Sequence, residues 1–110
     1  MGVRDLLAQK PVGKIYVDLA STNVTTAAWA ELEDSVPAAC TAITVAYTGI
    51  GILKLAKGAA ASEVELPIYI TPGQQPNMLI PLELAKSWRL SARAEDQNVT
   101  SGVIVITLYG

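Results

Sequence analysis

The run WRLSARAE, residues 88–95, places Trp88, Leu90, Ala92 and Ala94 on one parity and Arg89, Ser91, Arg93 and Glu95 on the other. Successive side chains of a strand point to opposite faces, so this alternation marks a β-strand with one face buried. The same period recurs along most of the chain. Ile15, Val17 and Leu19 oppose Lys14, Tyr16 and Asp18, and Ile43, Val45 and Tyr47 oppose Thr44, Ala46 and Thr48. Val64, Leu66, Ile68 and Ile70 oppose Glu65, Pro67 and Tyr69; Met78, Ile80, Leu82 and Leu84 oppose Leu79, Pro81 and Glu83. The last run, Gly102 to Tyr109, is almost continuously apolar and predicts a strand covered on both faces. Two shorter runs complete the set: Ile52 to Ala56, entered through Gly49 and Gly51, and Val24 to Leu32. Within residues 24–34, AAWAELED is compatible with a short helix, while Val24, Thr25, Thr26 and Trp29 favour a strand.

About eight short strands separated by turn signals are the pattern of a sandwich. The expected fold is therefore all-β, an antiparallel β-sandwich or jelly roll, as a single domain over residues 13–110. Residues 1–12 read as a short N-terminal arm. Only Val3 to Gln9 has helical character there, and Pro11 ends it. With one apolar edge (Val3, Leu6, Leu7), such a segment is too short to be stable alone. Pro67 and Pro81 interrupt otherwise regular runs, and each removes a ladder donor, so their strands are expected at sheet edges or bulges. Between those strands, Thr71 to Asn77 is stiffened by Pro72 and Pro76 and kept polar by Gln74, Gln75 and Asn77. It reads as an ordered, exposed loop, the kind of segment through which a rigid scaffold makes contacts.

Composition narrows the function classes. The chain of 110 residues is 51% hydrophobic but 5% aromatic, with no Phe, so Val, Ile, Leu and Ala must fill the core. Its net charge is -2, and eight basic residues are scattered among ten acidic ones, which leaves no clustered positive patch for nucleic acid or an anionic membrane. No apolar run approaches a membrane span, and MGVRDLLAQKP lacks the apolar stretch of a signal peptide. A single cysteine, Cys40, closes no intrachain disulfide and suits a reducing compartment. Beside Ala38 and Ala39 it reads as a small buried hydrophobe.

The catalytic inventory is thin. Without histidine the commonest general base and the commonest transition-metal ligand are missing, and Ser-His-Asp or Cys-His arrangements are impossible within one chain. Gly49 and Gly51 extend into no phosphate-binding fingerprint and read as a hairpin turn. Glu63 and Glu65 share a strand parity, where two carboxylates could share a proton or hold a hard cation; a solvated strand face is the simpler reading. Glu31, Glu33 and Asp34 lack the spacing of a calcium loop and read as turn and solubilising residues. The Asn-Val-Thr triplets at Asn23 and Asn98 read as turns. Trp29 and Trp88 could stack on sugars, as in carbohydrate-binding modules, but core or interface packing accounts for them first. No cofactor or metal is expected, and the chain reads as a non-enzymatic packing part that fits against copies of itself or a larger assembly.

The succession GILKLAKGAAASEVELPIYITPG, LIPLELAKSWRLSARAED, NVTSG and VIVITLYG, with VTTAAWAEL and PAAC upstream, resembles small virion proteins of tailed bacteriophages over roughly residues 24–110. The shared order is a strand, a Gly-Ala-rich segment leading to Ser-Glu-Val, a tyrosine-bearing strand, a Pro-Gly turn, an Ile-Pro strand, an Arg-Leu-Ser strand and a terminal hydrophobic strand. The resemblance implies a compact β-sandwich incorporated into the particle, as a capsid cement or decoration protein or as a small tail or fibre component. The implied partners are the major capsid protein or other virion proteins, together with further copies of the chain. The implied location is the virion, assembled in the bacterial cytoplasm. Val3, Arg4, Leu6 and Leu7 of the arm and Gln74, Gln75 and Asn77 of the loop are the expected contact residues.

Overall fold

A computed structural model describes residues 10–59 and 61–110. Eight strands follow one another: β1 (Pro11–Asp18), β2 (Ala30–Glu33), β3 (Cys40–Tyr47), β4 (Leu53–Lys57), β5 (Val64–Ile70), β6 (Ile80–Leu84), β7 (Leu90–Ala94) and β8 (Val103–Tyr109). A single helical turn, α1 (Leu19–Thr22), follows β1. The pairs β4–β5, β3–β6, β2–β7 and β1–β8 are all antiparallel, as in one long hairpin folded at the β4–β5 connection. Rolling that hairpin up adds β3–β8 and β4–β7 and splits it into two four-stranded sheets, ordered β1-β8-β3-β6 and β2-β7-β4-β5. This is the jelly-roll form of the expected sandwich.

The two inner faces meet in one core. Ile15 and Val17 of β1, Ile43, Val45 and Tyr47 of β3, and Ile104, Ile106 and Leu108 of β8 come from one sheet. Leu53 and Leu55 of β4, Leu66, Ile68 and Ile70 of β5, and Leu90, Ala92 and Ala94 of β7 come from the other. Each fully buried aliphatic side chain contributes about 1.5–3 kcal/mol, which is how a core without Phe holds the sheets together. Cys40 is buried at the start of β3, and burial pushes its thiol above the ordinary range, so it packs as a protonated hydrophobe.

The prolines stand where their chemistry requires. Pro67 lies in β5 and Pro81 in β6, and both strands are sheet edges. The ladder beside each also carries a register shift, at Lys54/Ala56 and at Cys40/Ala42.

Several expectations need correction. Pro11 and Val12, counted with the arm, are the first residues of β1; residues 1–9 and their helical reading lie outside the described residues. Strand β8 is covered fully on one face only, because it lies inside a sheet whose outer side leaves Val103, Val105, Thr107 and Tyr109 half-exposed. Residues 24–34 form no helix and only a short strand, Ala30–Glu33; Val24 makes an isolated bridge with Val99. Glu31 and Glu33 therefore belong to a strand rather than a turn. Val64 and Met78 have the parity of buried residues but precede the region where the sheets overlap, and both are exposed. Asn23, read as a turn residue, caps the end of α1 in the left-handed conformation, and the Asn98 side chain accepts from Thr26 N–H.

Gly49 and Gly51 form no hairpin, since β3 and β4 belong to different sheets. They carry the chain across the end of the sandwich, where the Tyr47 hydroxyl donates to the Gly51 carbonyl at 2.6 Å. A Cβ on Gly49 would collide with the Tyr47 ring, and one on Gly102 would stand 2.9 Å from Gly49 Cα. The crossing is thus a contact between backbone and ring that has no room for a side chain.

Two outcomes follow. Gly49→Ala should lower stability by about 1–3 kcal/mol, the usual cost of overpacking, as read by thermal or urea unfolding. Burial of Tyr47 holds its phenol above the ordinary 10.0, and the negative charge of Asp96 acts in the same direction. The unfolded phenol then ionises first, so the stability contributed by Tyr47 is complete below pH 10.0 and is lost as the pH rises through the folded value. Tyr47→Phe should cost about 1 kcal/mol at neutral pH through the lost hydrogen bond, and should flatten the alkaline fall in stability measured by urea unfolding across that range.

Candidate functional site

The outer faces of the two sheets differ in chemistry. On the β2-β7-β4-β5 sheet, long charged side chains neutralise one another. Arg89, just before β7, bonds Glu31 of β2 at 3.1 Å through Nε and reaches Glu63, just before β5, at 3.3 Å through Nη1. Lys54 of β4 holds Glu95 at 2.9 Å and Glu65 at 3.7 Å. The hydrogen bond that Lys54 donates to Glu95 raises the pKa of Lys54 above its ordinary value. Lys57 lies 4.9 Å from the ring centre of Trp88, and Arg93 lies 5.0 Å from that of Trp29. Beneath this layer Ser91 is fully buried, although its parity faces outward, and its Oγ has no hydrogen-bond partner.

This network decides the fate of the carboxylate pair. Glu63 has a side chain only 8% exposed and is held by Arg89, whereas Glu65 is exposed and held by Lys54. Each carboxylate has its own cation, so the arrangement is structural and the shared-proton reading loses its geometry. Among the described residues, no group of three or more His, Cys, Asp and Glu side chains is placed to hold a metal ion.

The tryptophans are outside the core cluster, so of the core or interface packing expected for them the core half fails. Trp88 precedes β7 rather than starting it, is 41% exposed, and borders an open groove of about 500 Å³ with Cys40, Lys57, Glu83, Leu84 and Gly110. Trp29 is half-buried beside Arg93. The two rings are occupied by different cations on different strands, so they offer no common stacking platform.

The other outer face, on β1-β8-β3-β6, is almost without charge. Its register lines up Tyr16, Val105 and Ala46 in one row, Lys14, Thr107 and Thr44 in the next, and Pro11, Tyr109, Ala42 and Pro81 in a third. The two inner strands, β3 and β8, carry no ionisable acid or base apart from Cys40, Tyr47 and Tyr109. Charges stand only at the borders, with Lys14 and Asp18 on β1 and Glu83 on β6. Tyr16, 66% exposed, is the largest apolar surface on this face.

The loop at residues 71–79 borders the same sheet. Its contact with the fold is made by Gln74, whose backbone carbonyl accepts from Tyr47 N–H and whose Oε1 accepts from Thr71 N–H. Gln74 is therefore committed to holding the loop. Gln75, Asn77 and the 71% exposed Met78 point to solvent, and Met78 was not singled out in the sequence because its parity matched the buried residues. The contact residues expected in the arm, Val3, Arg4, Leu6 and Leu7, lie outside the described residues.

The ion-paired face is expected to be structural. Arg89→Met should leave Glu63 nearly buried without its cation and lower stability by about 2 kcal/mol, below the full cost of breaking a completely buried pair. Urea unfolding of this variant beside Glu31→Gln, which leaves the Glu63 contact in place and should cost much less, checks the assignment.

Comparison with protein-family models, with curated proteins and with solved structures returned no match.

Proposed function

We propose that this chain is a structural protein of a tailed-phage virion, a capsid cement or decoration protein that binds the head lattice as an oligomer and bridges neighbouring capsid subunits. The observation that carries the reading is the uncharged outer face of the β1-β8-β3-β6 sheet, where Tyr16 is exposed, Val105 and Tyr109 are half-exposed and Ala42 and Thr44 are buried, on a sandwich whose opposite face is crossed by ion pairs. A flat face without charge loses little on leaving water and suits close contact with another protein surface. Many weak identical contacts become strong when an oligomer engages several lattice subunits at once. The resemblance of residues 24–110 to small virion proteins supplies the kind of assembly, and the jelly roll agrees with a shape that recurs in capsid proteins. A tail or fibre component of the same particle is the nearest rival. A carbohydrate-binding role draws support only from the exposed edge of Trp88.

Quantifying the chain in purified particles against the major capsid subunit tests the proposal. A ratio near stoichiometric supports the decoration role, a far lower ratio with label on the tail moves the assignment to the rival, and absence from the particle overturns both. In the same assay Gln75→Ala with Asn77→Ala should weaken incorporation several-fold, and removal of residues 1–10 should weaken it further while far-UV circular dichroism stays unchanged.

A further inference from the structure

Four strands form the edges of the two sheets, and three of them are built against pairing. Strands β5 and β6 contain Pro67 and Pro81, and β2 is four residues long with a register shift at Glu31/Glu33. Edges of this kind do not accept another strand. Strand β1 is different: it spans eight residues, its register with β8 is unbroken from Gly13 to Asp18, and after Pro11 it has no proline.

The hydrogen-bond phase shows which groups β1 leaves open. Leu19 N–H donates to the Gly102 carbonyl at 2.9 Å, and Val103 bonds Thr48 on the opposite side of β8. Narrow and wide pairs alternate in an antiparallel ladder, so Gly13, Ile15 and Val17 exchange bonds with β8 while Lys14, Tyr16 and Asp18 aim their main-chain groups away from it. Among the described residues, nothing outside β8 bonds the backbone of this strand from Val12 to Val17, and at Asp18 only the carbonyl is engaged, at the start of α1. The open amides thus belong to the residues whose side chains lie on the uncharged outer face.

We propose that β1 pairs antiparallel with β1 of a second copy, about a two-fold axis at Tyr16, joining the two β1-β8-β3-β6 sheets into one continuous sheet. In this register Tyr16 meets Tyr16 of the second copy, Lys14 meets Asp18, and Asp18 meets Lys14. Both ends of the pairing become opposite-charge contacts, and Ile15 stays on the same side as Val17 of the second copy, so both cores remain covered. The neighbouring registers are worse. An axis at Lys14 or Asp18 sets like charges against each other, and a shift by one residue turns outward side chains inward and misaligns the open amides. At the axis each Tyr16 exchanges N–H and C=O with the other. Asp18 N–H donates to the Lys14 carbonyl, its own carbonyl being engaged at the start of α1. Leu19 is buried and turns the chain inward, so the strand leaves the edge where the pairing ends. The row Ala46, Val105, Tyr16 then continues through the axis into the second copy and doubles the uncharged face.

This pairing names the self-contact within the oligomer proposed above, but its grounds are the free edge and its charge pattern. Sedimentation equilibrium of the full chain, over a concentration series at low salt, should give the mass of two chains. Tyr16→Pro removes the outward N–H together with the phenol ring while leaving the bonds to β8 in place, and should abolish the dimer without changing the circular dichroism, whereas Tyr16→Ala, which loses the ring but keeps the N–H, should still dimerise. Lys14→Glu alone and Asp18→Lys alone should each weaken association on the order of tenfold, since each sets like charges together at both ends. An equimolar mixture of the two should regain wild-type affinity, because every altered residue then faces its opposite. Asp18→Asn keeps the capping oxygen for Ala20 and loses the charge; it should weaken association several-fold, which covers a failure of D18K to fold. A wild-type chain that stays monomeric at sub-millimolar concentration, a Tyr16→Pro chain that still dimerises, or a mixture no tighter than its components would overturn the pairing. Incorporation into particles as a monomer would overturn the pairing alone, and a dimer that does not enter particles would overturn only the virion assignment.

Discussion

Face-to-face burial of two aliphatic sheet surfaces is the interaction on which everything else in this molecule depends. Ile15, Ile43, Val45, Ile104, Ile106 and Leu108 have to meet Leu53, Leu55, Ile70, Leu90 and Ala92, and no aromatic ring of Phe is there to bridge a gap between them. Only a close, well-registered stack satisfies such small side chains. The rolled hairpin delivers it, because strands paired as β1–β8, β2–β7, β3–β6 and β4–β5 reach the two sheets in a fixed order. Tight passage at Gly49 and Gly102 and the hydroxyl of Tyr47 then close one end of the stack.

Once the core is fixed, the two outer faces are free to diverge, and they do. One is a lattice of ions and rings in which Lys54, Lys57, Arg89 and Arg93 each have a partner within the chain. Exposed ion pairs add little stability individually, but here they give Lys54 and Arg89 each a partner on its own sheet, with only Arg89 Nη1 and Ser91 Oγ left without a hydrogen bond among the buried polar side-chain atoms of the described residues. The other face offers Val, Thr, Ala and Tyr between borders of single charges. A protein whose charges are paired on one side and almost absent on the other has one side suited to partners. The unguarded edge of β1 lies on that side, so self-pairing would enlarge the same surface.

Much of the fold was legible because the side-chain period of a strand is short and local. Alternation located β1, β3, β5, β6 and β7, and the missing donors of Pro67 and Pro81 placed β5 and β6 at edges. What was not legible depends on partners distant in sequence. Ser91 has the parity of an exposed residue but is fully buried, and Trp88 has the parity of a core residue but precedes the strand β7. Gly49 and Gly51 look like a hairpin because local sequence does not say to which sheet the next strand belongs. The turn α1 carried a local signal that went unused: Asp18 caps its start by accepting from Ala20 N–H, and Asn23 ends it at a φ of 55. For the site, the loop polar residues were found but the uncharged face was not, since its rows exist only once β1, β8 and β3 are laid side by side.

In the proposed role, this uncharged face does the docking. Hydroxyl-radical footprinting of the chain, free and bound to particles and compared at the same oligomeric state, addresses it directly. Labelling of Tyr109 and Val105 should fall on binding while that of Trp29, Trp88 and Tyr69 is unchanged. Protection confined to Trp29, Trp88 and Tyr69, with Tyr109 and Val105 labelled as before, would contradict it.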